Sequence, residues 1–506
     1  MLSRVTTFAI RGIDSLRVTV EVDVRQGLPA FAIVGLGDRA VREARERVRF
    51  ALQNSGFEFP QRRVTVNLAP AYVRKVGAGF DLAIACGILA ATGQVAPETL
   101  QRCAVFGELS LSGELRAGRG ALAIAEGAAR AGLEAIVLPA GNAREAALVP
   151  GLDVLGADTV EDAVALLRGD MPSVSSAADE GPVDEAERAD LCEVRGHPGP
   201  IRALTIAAAG GHNLLMAGPP GTGKTMLARR LPSILPLLTG PEAIEVTRIH
   251  SVAGLRSDGG LISEPPFRAP HHTISAAGLV GGGPLPAPGE ATLAHHGVLF
   301  LDELSEFNRN VLESMRQPLE DGEIVVVRGQ QAMAYPTRFI LVAATNPCPC
   351  GHAGTPRCRC TDNDHARHQR KLSGPLLDRI DLVVDVQRPS AADLAAGPVT
   401  TSDTARADAE HARERQRARL CETPARVNAE MTAALVSEHV RLDALGDRVL
   451  RTAYEAGRLS TRGHHRVLKV ARTIADLAGQ DRVTADHVRA ALGWRLEEAG
   501  DAVAAA

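Results

Sequence analysis

The segment from Gly218 to Thr225 has the residue types and spacing needed to bind phosphate groups. It follows an apolar stretch, Leu214 to Ala217, and leads into a helix-like sequence, which is the setting that a Walker A loop requires. Only four lysines occur among 56 basic residues, and one of them, Lys224, stands where it can reach phosphate oxygens. The sequence therefore predicts a loop for ATP and Mg²⁺ formed by Gly218, Pro219, Pro220, Gly221, Thr222, Gly223, Lys224 and Thr225.

A second candidate is the acidic pair Asp302 and Glu303, which follows the apolar run Val298 to Leu301. Acidic residues at the carboxyl end of a buried central strand stand beside a phosphate loop. There Asp302 can join Thr225 in holding Mg²⁺, and Glu303 can orient and deprotonate the attacking water. The alternative interpretation, an acidic first turn of a helix, is favoured only where no phosphate loop lies upstream.

Asn346 ends a third apolar segment, RFILVAATNP. Its amide can hydrogen-bond the attacking water or the γ-phosphate if this strand lies between the other two. The alternative is an ordinary Asn-Pro turn.

Four cysteines crowd into residues 348–360 as two Cys-x-Cys pairs, which indicates metal binding rather than a disulfide framework. Structural zinc more often uses a two-residue spacer, but adjacent pairs can close a tetrahedral site of four sulfurs. Three nearby histidines can substitute for a cysteine, and reduced cysteines in an irregular loop remain the alternative. The candidate ligands are Cys348, Cys350, Cys358 and Cys360, with His352, His365 and His368 nearby.

Composition predicts a globular cytoplasmic protein. Apolar residues make up 45% and charged residues 23% of the chain, which is ample for burial. No apolar run reaches the roughly 18 residues that a membrane span needs, and the first residues lack an export signal, so no membrane partner is expected. A net charge of −4 argues against a nucleic-acid coat protein but allows a local basic channel.

The chain divides by pattern into three folded parts. Residues 1–170 read as small α/β units, and 171–195 form a polar, acidic linker. Residues 196–389 alternate strands and helices as a doubly wound parallel sheet does, with the cysteine insert 348–360 inside them. Residues 390–506 are helical in pattern and predict a lid.

The segment SGPLLDRIDLVVDV resembles the magnesium-chelatase-like branch of the AAA+ superfamily. The resemblance implies that Arg379 is an arginine finger reaching into a neighbouring subunit's ATP, in a ring. LSTRGHHRVLKVARTIADL resembles the sensor 2 segment and implies that Arg462 faces the nucleotide, with Arg466 and Arg472 as weaker candidates. Without the family, Arg379 could equally pair with a neighbouring aspartate on the surface.

The resemblance extends along nearly the whole chain to the YifB/ComM family, through AAAGGHNLLMAGPPGTGKTMLARRLPSILP, PFRAPHHTISAAGLVGGG, PGEATLAHHGVLFLDELSEF and NPCPCGHAG. Members are bacterial, form hexameric rings and include a DNA branch-migration helicase used in natural transformation. The implied partners are further copies of this chain and DNA.

The N-terminal part resembles the S5-like fold of the Lon protease domain, around KVGAGFDLAIA and GELSLSGELRAGRGALAIA. Gly79 stands where that family has its nucleophilic serine, and Leu122 falls near its lysine. Neither residue can form the catalytic dyad, so we expect a scaffold rather than a peptidase.

Two pore elements are expected from the family. DGEIVVVRGQQAMAYPTRF predicts a hairpin whose Arg328 can grip DNA phosphates without reading sequence. The helix-2 insert supplies Arg268, with His271 and His272 as further contacts. His295 and His296 are expected to pack or to lie at an interface, and the basic stretches 39–49 and 405–419 can be solvated helix faces or DNA contacts.

Two functions compete after the peptidase is set aside. One is a hexameric DNA translocase or helicase, and the other is a chelatase-type ATPase that remodels a protein or drives metal insertion. The Lon-like part and the NPCPC insert favour the first.

Overall fold

The computed structural model divides the chain into two compact units, an N-terminal unit (1–184 with 240–262) and a P-loop unit (185–239 with 263–506). Within the described residues, no helix combines the length and apolar character needed to cross a membrane. Most of the expected acidic linker, residues 171–188, lies outside the described part of the chain. The structure describes residues 1–73, 75–170, 189–255, 260–283, 287–328, 331–353, 356–372 and 376–495.

The N-terminal unit is built on a mixed seven-stranded sheet with the order β3-β4-β2-β1-β5-β8-β9, and β6 and β7 form a separate two-stranded ladder. The strands are β1 (Leu2–Arg11), β2 (Asp14–Arg25), β3 (Ala30–Val34), β4 (Arg63–Ala69), β5 (Cys103–Val105), β6 (Glu108–Leu109), β7 (Leu115–Arg116), β8 (Ala135–Pro139) and β9 (Asp153–Ala157). The helices are α1 (Arg39–Asn54), α2 (Asp81–Ala91), α3 (Pro97–Arg102), α4 (Ala121–Arg130), α5 (Ala140–Ala146) and α6 (Val160–Arg168).

Two sequence patterns explain this unit. The alternating valines of β2 all point to one buried face, because side chains of a strand alternate between the two sides of a sheet. The apolar segment after Phe80 forms α2, in which every residue is buried, as the sequence predicts. The result is the expected α/β fold at the N-terminus.

The P-loop unit contains a five-stranded sheet with the order β11-β12-β15-β10-β16, in which all pairs are parallel. The strand that leads to the P-loop, β10, therefore lies between β15 and β16. A hairpin of β13 and β14 stands apart from this sheet. The strands are β10 (Leu214–Ala217), β11 (Phe267–Arg268), β12 (Val298–Leu301), β13 (Glu323–Arg328), β14 (Gln331–Pro336), β15 (Ile340–Thr345) and β16 (Leu382–Asp385).

Helices cover both faces of this sheet, which is the predicted doubly wound arrangement. Leu214 and Met216 of β10 join a core that includes the helices of residues 402–477, whereas Leu215 between them joins the core on the other face. The helices are α7 (Pro198–Gly210), α8 (Lys224–Ala228), α9 (Leu231–Ile234), α10 (Gly240–Ala253), α11 (Ala276–Val280), α12 (Glu290–Leu293), α13 (Arg309–Ser314), α14 (Arg316–Asp321), α15 (Asp362–Leu372), α16 (Ala391–Ala395), α17 (Ser402–Leu420), α18 (Ala433–His439), α19 (Ala444–Glu455), α20 (Thr461–Leu477) and α21 (Ala485–Gly493).

The two units differ from the three expected parts in two ways. Residues 390–495, expected to form a separate lid, group with the ATPase core, and one segment of that core groups elsewhere. Helix α10 and the chain to Ile262 group with the N-terminal unit, although the sequence assigns them to the ATPase core. Arg248 of α10 pairs with Glu126 of α4 at 3.1 Å and with Asp14 at 3.4 Å, and the Ser251 carbonyl accepts a hydrogen bond from Gly120. Such long-range pairings carry no local signature in the sequence.

Candidate functional site

The predicted phosphate loop follows β10 and ends where α8 begins at Lys224. The Lys224 amino group donates to the carbonyls of Gly218 (2.6 Å) and Pro219 (2.7 Å). Gly223 has a φ of +93°, which favours glycine, and a Cβ on Gly218 would lie 2.3 Å from the Val386 carbonyl oxygen. The glycines of the motif are thus required by the shape of the loop.

The acidic pair stands at the end of the neighbouring strand β12. The Thr225 hydroxyl donates to Asp302 Oδ2 at 2.7 Å, and the Glu303 N–H donates to Asp302 Oδ1 at 2.9 Å. A hydroxyl and a carboxylate held together in this way are hard oxygen ligands of the kind that Mg²⁺ prefers. Thr225 and Asp302 are therefore the residues that would hold the ion, which would draw charge from the phosphates.

Glu303 has an uncommon backbone conformation. Its φ is +52°, which is uncommon outside glycine, and its side chain is 54% exposed. The carboxylate lies 3.6 Å from His272 Nδ1. An exposed carboxylate beside the Mg²⁺ ligands can accept a proton from water.

Asn346 follows β15, the strand between β12 and β10, and its Oδ1 accepts a hydrogen bond from Lys224 at 3.2 Å. Burial lowers the pKa of the Lys224 amino group below its usual value, although the nearby Asp302 and Glu303 carboxylates act in the opposite direction. The structure therefore brings Lys224, Thr225, Asp302, Glu303 and Asn346 to one edge of the sheet, where the carboxyl ends of the parallel strands meet.

The two predicted arginines do not join this edge. Arg379 precedes β16, and its carbonyl accepts a hydrogen bond (2.9 Å) from Asn213, the residue before β10. Four residues of β10 span about 13 Å, so the Arg379 backbone lies at the opposite edge of the sheet from Gly218. Its guanidinium pairs with Glu320.

Arg462 lies beside Arg379 rather than at Lys224 of the same chain. Its guanidinium is 3.7 Å from Asp378, and its positive charge, with that of Arg466, adds to the burial that lowers the pKa of Arg379. The expectation that Arg462 faces the nucleotide is not met within one chain, because helix α20 meets the sheet at the amino ends of its strands. Arg472 is 1% exposed and pairs with Asp476, so its role is structural.

Sequence reasoning missed a buried polar cluster at this second edge. His212 Nε2 bonds Thr473 Oγ1 of α20 at 2.8 Å, and its Nδ1 lies 3.4 Å from Asp381 Oδ2. Burial acts to raise the pKa of Asp381, but His212 and Arg466 lower it below its usual value. The only available signal was a polar pair, His212 and Asn213, immediately before an apolar strand.

The two arginines expected to contact DNA, Arg268 and Arg328, lie in different surroundings. Arg268 forms a bidentate pair with Glu290, at 2.6 and 2.8 Å, so its guanidinium is already bound within the chain. A half-buried pair formed by tertiary contact carries no sequence signature in a short insert. Arg328 ends β13 of the predicted hairpin, and its side chain lies outside the described residues.

The structure shows the contacts of the two histidine pairs. His271 and His272 contact each other, with ring centroids 4.1 Å apart. His295 is buried and accepts a hydrogen bond from the Arg338 N–H at 2.9 Å, and the His296 N–H donates to the Arg338 carbonyl at 2.6 Å. This second pair thus packs against the short connection between β14 and β15.

The four cysteines come together. Cys348 Sγ lies 3.4 Å from Cys350 Sγ and 3.9 Å from Cys358 Sγ, and Cys350 and Cys358 are 3.7 Å apart. Ligand atoms of Cys348, Cys358, Cys360 and His365 all lie within 4.8 Å of one another. Zinc–sulfur bonds of about 2.3 Å in a tetrahedron separate sulfurs by about 3.8 Å, so the donor set fits zinc. Backbone N–H groups of Arg359 and His352 lower the pKa of Cys350 to about 5.

At the position of the Lon nucleophile, the ring of Phe106 occupies the space that a side chain would need. A Cβ on Gly79 would lie 2.3 Å from Phe106 Cε2, and Leu122 is fully buried in α4. A hydroxyl nucleophile has no room there without movement of Phe106.

Comparisons with known proteins place three successive parts of the chain in magnesium-chelatase families. The family "Magnesium chelatase, subunit ChlI" matches residues 190–394, "Subunit ChlI of Mg-chelatase" matches 20–142, and "Magnesium chelatase, subunit ChlI C-terminal" matches 399–495. An uncharacterized protein of Mycobacterium tuberculosis is 44% identical over 498 residues, 98% of each chain. Competence protein ComM of Haemophilus influenzae and protein YifB of Escherichia coli are each 41% identical over 500 residues, 98% of this chain and 97% of theirs.

The chain belongs to the YifB/ComM family. Membership in this magnesium-chelatase-like group makes it a chelatase-like AAA+ ATPase, with ATP and Mg²⁺ as the cofactors that its family uses. The P-loop strand between β15 and β16 and the polar residues at the strand ends fit that membership. The assignment to the YifB/ComM family made from the sequence is confirmed, and so is the predicted α/β fold class.

Replacing Asn346 with alanine tests the third strand's role. We expect N346A to lower kcat for ATP hydrolysis by about two orders of magnitude, with little change in nucleotide Kd, because it removes the amide expected to bind the attacking water or the γ-phosphate. Steady-state ATPase assays and titration with a fluorescent nucleotide measure the two effects. N310A, at an exposed site on α13, is the matched control. Equal loss of binding and turnover would contradict this role.

Restoring a serine at the Lon nucleophile position tests the scaffold interpretation. We expect G79S to destabilise the N-terminal unit by about 1–3 kcal/mol, because the added Cβ overlaps Phe106, and to create no peptidase activity. Chemical denaturation and a casein assay measure these outcomes. G240S, in the same unit with open space around its Cβ, is the control. Peptidase activity in G79S would contradict the interpretation.

Proposed function

We propose that this protein is a ring-forming ATP-driven motor that moves DNA strands, as a helicase or branch-migration translocase. The observation that carries the ring is the separation of Arg379 from Lys224 on opposite edges of one sheet. An arginine that stabilises the transferring phosphoryl group must come close to it. Arg379 can do so only in a neighbouring copy, and Arg462, beside it, would approach the same neighbour.

The chemistry of each site then divides between two subunits. Lys224 and the loop amides hold the phosphates, while Thr225 and Asp302 hold Mg²⁺. Glu303 takes the proton of the attacking water, which Asn346 orients. Arg379 of the adjacent subunit stabilises the charge that develops on the γ-phosphoryl oxygens. A closed ring gives every site such a neighbour, and the family resemblance supports a hexamer.

Mixing two inactive variants tests this division. K224A lacks its own site but keeps Arg379, and R379A keeps its own site but lacks the arginine. We expect each alone to lose about 10³-fold or more of ATPase activity, and the mixture to recover a measurable fraction. The control is a mixture of K224A with N346A. Both variants keep Arg379, so mixing them supplies no missing arginine and should recover no activity. Absence of recovery in the first mixture would contradict a shared site.

DNA as the substrate rests on the relative named Competence protein ComM and on the hairpin of β13 and β14. Ile324 of β13 is buried, whereas Val325 and Val327 are exposed, so one side of the hairpin projects from the unit. Arg328 at its end supplies a cation for backbone phosphates, which gives binding without sequence preference. Arg268 is a weaker contact because Glu290 neutralises it.

Measuring ATPase activity with and without DNA tests this substrate. We expect single-stranded or forked DNA to raise the ATPase rate, forks to be unwound, and binding to weaken steeply with salt because phosphate contacts release counterions. R328A should weaken DNA stimulation, whereas R451A, at an exposed arginine on α19, should not. If DNA neither binds nor stimulates, the chelatase-type alternative takes its place.

That alternative, a chelatase-type ATPase that remodels a protein partner or drives metal insertion, is favoured by the descriptions of the matching families. It would be supported by a partner protein, rather than DNA, raising the ATPase rate.

We further propose that the Cys/His group binds one structural zinc ion and that the protein works in the cytoplasm, where ATP and DNA are both available. The sulfur separations near 3.8 Å support zinc.

A further inference from the structure

The segment that carries the cysteines contacts the nucleotide site in two places. A Cβ on Gly351 would lie 2.5 Å from Pro220 Cδ, so the cysteine turn packs directly against the P-loop. His368 Nε2 donates to the Asn346 carbonyl at 2.8 Å. The same Asn346 accepts a hydrogen bond from Lys224 through its side chain. The metal ligands are therefore adjacent to residues that bind and orient the phosphates.

The ligands approach from two directions along the chain. Cys348 lies two residues after Asn346, three residues beyond the end of β15, and is fully buried. His365 comes from helix α15, and its Nε2 is 3.5 Å from Cys358 Sγ. A metal bound to both would tie α15 to the end of the sensor strand.

Helix α15 buries little of its described surface, and Lys371 near its end lies 4.0 Å from Glu306. Among its described side chains, His368 is the only one that is buried. The described side chains of this helix gain little from hydrophobic burial, so polar contacts or a bound metal would add substantially to its positioning. Structural zinc supplies such free energy directly.

His365 and His368 are three residues apart on α15 and so lie on the same side of the helix. Fixing the imidazole of His365 at the metal consequently fixes the position of His368 against the Asn346 carbonyl. The carbonyl requires a donor, so His368 carries its proton on Nε2.

We propose that a zinc ion held by Cys348, Cys358, Cys360 and His365, with Cys350 as the alternative thiolate, braces Asn346 and the P-loop, so that zinc occupancy controls ATP hydrolysis. This inference rests on the proposed ATPase and zinc site, and it adds the physical link between them. Zinc supplies no reacting group; it sets the position of Asn346 through His368 and that of Pro220 through Gly351.

The first experiment removes the metal from full-length protein. We expect about one zinc per chain by elemental analysis in the wild type and none in C358S, whose ATPase kcat falls about 10- to 100-fold. C421S, which changes an exposed cysteine far along the chain, should keep both zinc and activity. A zinc-free C358S protein with wild-type kcat would overturn the proposal, as would a wild-type protein that binds no zinc.

The second experiment breaks the link but keeps the metal, so it remains decisive if C358S does not fold. We expect H368A to retain full zinc yet lose about 10- to 100-fold in kcat, with nucleotide Kd nearly unchanged, and H368Q to recover part of the activity through its amide donor. H411A, at an exposed site on α17, is the control. Wild-type kcat in zinc-loaded H368A would overturn the brace. If the wild type hydrolyses no ATP, the proposed function fails and the brace fails with it, whereas a wild type that hydrolyses ATP at the same rate as zinc-loaded H368A overturns the brace alone.

Discussion

The burial of both faces of the parallel sheet in the P-loop unit constrains everything else. Helices cover each face, so the strands carry apolar side chains throughout and polar groups can stand only at the strand ends. At the carboxyl ends stand Lys224, Asp302 and Asn346, and at the amino ends stand Asn213 and Arg379. A polar site on a face of such a sheet would leave groups buried without partners. The fold therefore places its polar groups at the two ends of the strands, and the proposed shared site uses both.

Strand β10 connects these edges directly. Gly218 follows its last residue, and Asn213 precedes its first residue and donates to the Arg379 carbonyl. Asn213 Oδ1 also accepts a hydrogen bond from Leu341 of β15 at 2.9 Å. Because a packed interior transmits displacement rather than absorbing it, the phosphate loop and the backbone of Arg379 are connected through one rigid strand. His212 extends this contact to helix α20.

Residues inside local motifs could be predicted from the sequence. Lys224, Thr225, Asp302 and Asn346 each follow an apolar strand at a fixed offset, and strand ends of a parallel sheet meet, so their convergence follows from short-range pattern. The hairpin and buried helix α2 were predictable for the same reason. The pairing of Arg268 with Glu290, the grouping of α10 with the N-terminal unit, and the bond from His368 to Asn346 join residues by tertiary contact alone. No periodicity or spacing records such contacts, which is why Arg268 was expected to be available for DNA.

The most direct test of the account is the ATPase rate per chain as a function of protein concentration, with oligomeric state measured by sedimentation on the same samples. If Arg379 completes the site of a neighbouring copy, the rate per chain falls toward zero as the protein dissociates, while each monomer still binds nucleotide through Lys224. A rate per chain that stays constant in samples shown to be monomeric would contradict the account.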